Sequence, residues 1–501
     1  MPGKPGSNLT MHRYAVILIS LLSGPALLAQ EPNLPDFGSP VDAVINKNQE
    51  AQLGRSVVAQ LRAAGAILED PQLKEYIQNL GSRLVGHTSD GTQSFEFFVV
   101  DDEAINAFAL PGGYIGVNAG LILASENESE LAGVLAHEIA HVTQRHIARS
   151  IYDNQRSSIL SMATMIAAVL LGAAADSPDA VQGAIMAGQA GAMQRQINFT
   201  RANEREADRF GIETLSSAGF DTNGMATFFE KLGRRYGMAR QQVPAILQTH
   251  PVSIERIAEA RERTRLLPVA KPTDSMNYSL VKSRLMIHQA RTSEAARAIF
   301  VSRMDSDSRD PSNRYGFALS LAQIGLFDEA ERLFTELAQE YPGVIAFWIA
   351  RGETLMRTGF VDAALGVYVE AVDLFPRNIP LTISYAEALI VAGEPARAHQ
   401  ILLDLLNNVP PTPAQIRLIA RAANAEGDSG NAHYYMGEYY LAIGNAPLAI
   451  GQLRMALESP GINSVDRARY QARLKQVNEW LPDEQRRRRR DDAPVERQPE
   501  P

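Results

Sequence analysis

The chain contains no cysteine. That excludes disulfides, thiolate metal sites and a lipid-modified N-terminal cysteine, so any metal must be held by histidine and carboxylate. It also lacks a basic excess: 48 lysines and arginines stand against 57 aspartates and glutamates, a formal net charge of −9. Nucleic acid is therefore not expected as a partner. The one strongly cationic run, Arg486–Arg490, sits beside Asp491, Asp492, Glu496 and several prolines, and reads as part of a disordered charged tail over 481–501. Long apolar runs are scarce. The first, Ala15 to Leu22, is short for a membrane span and is followed by Gly24-Pro25. Lys4, His12 and Arg13 precede it, and Ala29 precedes Gln30. This is the order of a secretory signal peptide, expected over 1–29. Export without cysteine suits the periplasm of a Gram-negative bacterium, because 501 residues can bury a core large enough to need no disulfides.

A Pro-rich linker over 30–41 leads into a first domain expected over 42–270. Residues from Asp42 to Val85 carry helical periodicity, Ser94 to Val100 alternates as a strand, and Tyr114 to Val117 reads as another after the turn Pro111-Gly112-Gly113. Helices dominate from Ala119 onward. The second domain, expected over 275–480, is announced by a repeat. Gly325, Gly359, Gly393 and Gly427 recur every 34 residues, each followed five positions later by Ala330, Ala364, Ala398 or Ala432. Pro342, Pro376 and Pro410 keep the same period. That is the tetratricopeptide signature: glycine closes the turn, alanine permits close helix approach, and proline ends the second helix. Trp348, Gly352 and Leu355 fill first-helix positions, and Phe334 and Tyr368 the second-helix aromatic position. Ala296 suggests a degenerate earlier unit near 277–309, while Gly444 and Ala449 resume half a period late, implying an extra helix around 413–427. Such arrays bind peptides or partner proteins. The fold class expected is mainly α: an α+β zincin-like domain with a small sheet, then an α-solenoid.

The chemistry is concentrated in His137-Glu138-Ile139-Ala140-His141. Ser125-Glu126-Asn127-Glu128 resembles a capping box, and Leu131, Val134, Leu135, Ile139 and Val142 follow at helical spacing. On that helix His137 and His141 are four apart, so their imidazoles share a face and can grip one Zn2+ ion. Glu138 is placed to take a proton from a water and pass it to a leaving amine. A metzincin would need glycine at 144 and histidine at 147, where Gln144 and Ile147 stand. His146 lies outside that pattern and reads as a surface histidine. Downstream, Glu204 and Asp208 are four apart on a second helix, one to bind the metal and one to orient a ligand imidazole.

The pair His137-Glu138-x-x-His141 and Glu204-x-x-Ala207-Asp208 resembles the gluzincin family of CAAX-prenyl-protease-like and HtpX-like metallopeptidases. Asn106 to Ile115 is similar to that family's substrate-side strand. The resemblance implies one Zn2+ per chain with Glu204 as third ligand and Asp208 supporting catalysis. It also implies His250, in Thr249-His250-Pro251, as a histidine that caps the metal, and Arg256 as a basic residue that supports the oxyanion. With a signal peptide and a repeat domain, it implies a periplasmic peptidase for unfolded or stalled outer-membrane proteins, working with their assembly machinery. A scaffold or chaperone with a mostly latent peptidase site is the alternative.

Two segments carry further expectations. Tyr114, Ile115, Gly116 and Val117, read as an exposed strand beside the metal, could pair with an extended substrate backbone. Ile159 to Ala175 is apolar for 17 residues and a second small apolar stretch follows to Met193. It suits a flap over the active site or a peripheral membrane contact, and a membrane hairpin is the competing reading.

Overall fold

The computed structural model describes residues 45–88, 94–154, 201–236, 245–268, 274–406 and 411–480. The expected signal peptide and linker, the apolar stretch 159–193 and the charged tail lie outside the described residues. Among those described, no helix is long and apolar enough to cross a membrane.

The first part opens with α1 (Lys47–Ala63) and α2 (Pro71–Val85). Asp70 caps α2, accepting hydrogen bonds from the backbone of Gln72 and Leu73, and Pro71 takes the first position, where its missing N–H costs nothing. A three-stranded sheet follows: β1 (Glu96–Val100), β2 (Ala107–Leu110) and β3 (Tyr114–Asn118), in the order β1-β3-β2. β3 runs parallel to β1 and antiparallel to β2, with Glu96 opposite Tyr114 and Ala109 opposite Ile115. This corrects the expectation of an exposed strand at Tyr114, Ile115, Gly116 and Val117. The turn Pro111-Gly112-Gly113 folds β3 back onto β2 while β1 covers its other side, so its backbone groups are spent on both edges. Ile115 and Val117 are fully buried. β2 has no second partner strand among the described residues, so the free edge beside the next helices belongs to Ala107–Leu110.

After the short α3 (Ala119–Ala124) comes the motif helix α4 (Glu128–Thr143). Its cap is Asn127, whose side chain accepts from the Glu130 backbone, and not Ser125 as the capping-box pattern suggests. Ser125 is buried and donates to the Ile122 carbonyl. α4 is buried from Glu128 to Val142. It lies under α2 and β2 and against α6 (Arg201–Ser217) and α7 (Asn223–Tyr236). Between them runs α5 (His146–Asn154), and the part closes with α8 (Ala245–Thr249) and α9 (Ile254–Thr264). At Gly211 on α6 a Cβ would lie 3.2 Å from the His137 nitrogen and 2.7 Å from the Met225 methyl. Its absence lets α6 approach α4 closely and brings Glu204 within reach of the histidines.

The second part is a stack of helices: α10 (Met276–Gln289), α11 (Ser293–Ser306), α12 (Pro311–Gln323), α13 (Phe327–Glu340), α14 (Ile345–Arg357), α15 (Val361–Leu374), α16 (Ile379–Val391), α17 (Pro395–Leu406), α18 (Pro413–Glu426), α19 (Ser429–Ala442), α20 (Ala446–Glu458) and α21 (Ser464–Trp480). The repeat glycines close the turns with φ between +82° and +91° at Gly325, Gly359, Gly393 and Gly427, where other residues are strained. Ala330, Ala364 and Ala398 are fully buried between helices, as are Phe334 and Tyr368. The helix implied by the phase slip is α18.

The two parts share α10. Its Tyr278, Val281 and Leu285 belong to the core around α4, while Leu280 belongs to the core of the repeats. Polar contacts reinforce the junction. Glu128, at the start of α4, accepts from Tyr76 Oη at 3.0 Å, Ser275 Oγ at 2.7 Å and the Ser275 backbone at 3.0 Å. Arg284 donates to the Asp70 carboxylate through Nε at 3.1 Å and to Tyr315 Oη at 3.0 Å. Asn378 of α16 donates to Glu75 of α2 at 2.7 Å. Charge-assisted bonds of this kind are worth about 1.5–3 kcal/mol each when buried. Replacing Arg284 with Met should therefore lower stability by roughly 1–3 kcal/mol, read as a lower urea midpoint. An unchanged midpoint would show that the junction does not use this contact.

Candidate metal centre

His137 and His141 leave the same face of α4 one turn apart, and their Nε2 atoms are 3.0 Å from each other. Glu204 comes down from α6 onto the same point, with Oε2 3.5 Å from His137 Nε2 and Oε1 3.4 Å from His141 Nε2. His250 closes the group: Nδ1 lies 3.0 Å from Glu204 Oε1 and 3.4 Å from His137 Nε2. One donor atom from each of His137, His141, Glu204 and His250 lies within 4.8 Å of all the others, and all four residues are buried. Glu138 faces the same space, fully buried, with both carboxylate oxygens lacking a hydrogen-bond partner and His250 Nε2 at 3.5 Å. Two imidazoles and a carboxylate converging on one point, beside a sealed carboxylate, fit a borderline-soft divalent cation, with His250 standing at the fourth position.

Asp208 does not join the donor cluster. One turn along α6 from Glu204, it sits behind His137, with Oδ1 3.0 Å from Nδ1. With a proton on Nδ1 turned towards Asp208, the Nε2 lone pair would be left for a metal. Arg256 from α9 holds both carboxylates: Nε and Nη2 each donate to Asp208 at 2.8 Å, and Nη1 lies 2.7 Å from Glu204 Oε2. Nη1 also donates to the Pro251 carbonyl at 2.8 Å, which ties the His250 loop to the same carboxylates.

The electrostatics follow from burial and pairing. Burial alone raises Glu204, but His250, His137 and His141 together hold it well below the usual carboxylate range. Asp208 is likewise lowered against its burial, by Arg256 and His137. Burial raises Glu138, only partly offset by His250 and His137, which suits a group that must accept and return a proton. Burial pulls His141 far down, keeping its ring neutral. Hydrogen bonds to Asp208 and Glu204 outweigh the desolvation of His137 and raise it to about 10, so a cation binding Nε2 has to displace a proton from it.

His146 is not a surface histidine: it is fully buried, with Nδ1 2.9 Å from His141 Nδ1 and Nε2 3.0 Å from Glu206 Oε2. Burial lowers its pKa. The α4 pattern misplaces it because the helix ends at Thr143 and Arg145 takes a left-handed φ of 54°. That conformation costs an arginine on the order of 1 kcal/mol and reverses the chain, turning the next side chain under His141. Glu206 was likewise invisible as a functional group, since residues two apart on a helix do not share a face. The only available signal was its place between Glu204 and Asp208.

Comparison with known proteins agrees with this geometry. Residues 69–264 match the model for Peptidase family M48, and residues 355–422 match the model for the tetratricopeptide repeat. A protein of Vibrio cholerae is 37% identical over 457 residues, covering 90% of this chain and 94% of its own length. The beta-barrel assembly-enhancing protease of Escherichia coli K12 is 33% identical, covering 94% of this chain and 96% of its own length. The mitochondrial metalloendopeptidase OMA1 of Arabidopsis thaliana is 33% identical over 177 residues, covering 35% of this chain and 32% of its own.

A cation bound to the folded chain alone stabilises it by about 2.7 kcal/mol at a hundredfold excess over Kd. Zn2+ added to metal-stripped protein should therefore raise the melting temperature, and Glu204→Gln should remove most of that rise. An equal rise in the variant would exclude Glu204 from the centre.

Proposed function

The chain belongs to the beta-barrel assembly-enhancing proteases of peptidase family M48 and is a metallopeptidase; from that premise we propose a zinc-dependent endopeptidase of the periplasm. Its substrates in this reading are unfolded or stalled outer-membrane β-barrel proteins. Its tetratricopeptide repeats dock it, chaperone-like, on those proteins and their assembly machinery. The signal peptide expected over 1–29 delivers it there. The observation that carries the proposal is Glu138, a fully buried carboxylate facing the space enclosed by His137, His141 and Glu204.

Zn2+ held by His137, His141 and Glu204 would supply Lewis-acid activation of a water and of the scissile carbonyl. Glu138, raised by its burial, takes the proton from the attacking water and returns it to the leaving amine. Asp208 holds His137 in the tautomer that presents Nε2. The free edge of β2, lying against α4, orients an extended substrate by main-chain hydrogen bonds, which favours unfolded chains because folded ones hide their backbone. Arg256 anchors Glu204 and Asp208 in the closed arrangement. Its support of a developing oxyanion requires an N–H group to be released as the Pro251 loop moves.

His250 regulates access. Its ring stands within 3.5 Å of Glu138 and 3.0 Å of Glu204, in the space a water and a substrate carbonyl must enter. The α8–Pro251 loop therefore has to withdraw before hydrolysis begins.

Glu138→Gln keeps the shape of the site and removes the base. It should bind Zn2+ normally and lose at least about 100-fold in cleavage of an unfolded β-barrel substrate, in line with the usual worth of a general base. Undiminished cleavage would end the proposal. His250→Ala should raise cleavage of the same substrate without tightening substrate binding, whereas lower activity in that variant would make His250 a required group and not a cap.

A further inference from the structure

His141 faces two ways. Its Nε2 looks into the donor cluster, 3.0 Å from His137 Nε2 and 3.4 Å from Glu204 Oε1. Its Nδ1 looks out of the cluster, 2.9 Å from His146 Nδ1. Two ring nitrogens at that distance share a single proton, so one ring donates and the other accepts. If His146 were the donor, neutral His141 would carry its proton on Nε2 and could not offer that atom to a metal. The geometry therefore has a polarity: His141 Nδ1–H donates to His146 Nδ1, the proton of His146 sits on Nε2, and Nε2–H donates to Glu206 Oε2 at 3.0 Å. Glu206 is held in turn by Arg149 Nη1 at 2.9 Å.

We propose that His146 and Glu206 are positioning residues for the metal ligand His141, a relay that fixes its tautomer and ring orientation as Asp208 does for His137. This rests on the metal centre proposed above. It is needed because α6 presents Glu204 and Asp208 on one face while Glu206 stands two residues from each, turned towards the rim, where its side chain is 29% exposed. The carboxylate reaches His141 through an intervening imidazole, and the rings of His141 and His146 cross at 78° with centroids 4.8 Å apart. The turn that sets His146 there is itself pinned. Arg145, at φ 54°, donates through Nε to Glu50 Oε1 at 3.0 Å and through Nη2 to the Ile45 carbonyl at 3.1 Å. α1 and the strand-side core thereby hold the left-handed residue that aims His146. Three carboxylates of one helix then have three tasks: Glu204 binds, Asp208 orients His137, and Glu206 orients His141.

Outer-shell partners of this kind are worth about 10–100-fold in metal affinity. The test uses the full chain, stripped of metal, with Zn2+ affinity read by competition against a chromogenic chelator and ligand geometry by the visible spectrum of the Co2+ form. His146→Leu should lower Zn2+ affinity by about 10–100-fold and shift the Co2+ bands. His146→Asn, which returns an acceptor oxygen near the Nδ1 position, should restore affinity to within about threefold of the parent chain. Glu206→Gln, at a partly exposed position that does not endanger folding, should show a smaller loss in the same direction. The relay is overturned if His146→Leu folds and keeps parental affinity and spectrum, or if His146→Asn falls as far as His146→Leu, which would mark a packing role. Should His146→Leu unfold, as its metal-free melting curve will show, Glu206→Gln decides: reduced affinity supports the relay and parental affinity overturns it. Glu204→Gln separates the two levels. If it binds Zn2+ like the parent chain, the metal centre itself fails and the relay with it; if only it weakens binding, the centre stands and the relay falls.

Discussion

Two carboxylates, Glu204 and Asp208, lie one helical turn apart inside a core that admits almost no water, and the arrangement of the catalytic part follows from what neutralises them. Left alone, each would be costly to bury in its charged form. Arg256 meets both, with two hydrogen bonds to Asp208 and an ion-pair contact to Glu204. The histidines of α4 meet them from the opposite side. The cluster is thus a packed assembly of opposite charges, which a cation entering among His137, His141 and Glu204 would complete. Because Arg256 also holds the Pro251 carbonyl, the residue that balances the carboxylates also fastens the loop that carries His250. Charge compensation and closure of the site are coupled through one guanidinium.

The motif helix itself demands support on every side. A helix buried from Glu128 to Val142 has no solvent face on which to place its polar ends. Groups from elsewhere meet its acidic first turn: Tyr76 and Ser275 donate to Glu128, and Lys231 Nζ to Glu130 Oε2 at 2.6 Å. Ser275 caps α10, the helix that enters both cores. The start of the metal helix and the start of the repeats are therefore held by the same hydrogen bonds.

Much of this was legible in the chain before any coordinates. The spacing of His137, Glu138 and His141, the pair Glu204 and Asp208, and the 34-residue period of glycine and alanine each reflect a local geometric rule. Side chains four apart share a helix face, and a left-handed turn selects glycine. Which of Glu204 and Asp208 faces the metal space came from the family resemblance and not from the spacing, because both positions obey the same rule.

What needed the tertiary structure depends on relations between segments. Tyr114 to Val117 looked like an edge because periodicity reports that a strand exists but not its neighbours; pairing with β1 and β2 made it the centre and left Ala107–Leu110 as the edge that lies against α4. His146 looked superficial because it follows the end of a helix. One left-handed residue, Arg145, held by Glu50 some 95 positions earlier, buries it under His141. The sequence by itself determined the candidate donors, the repeat and the glycine turns that close it, since these are set within a few residues of chain. Only the tertiary structure decided which strand lies against α4, which carboxylate joins the donor cluster and which sits behind His137, and what stands behind His141. Those depend on long-range packing and on how buried charges find partners, and no local pattern encodes either.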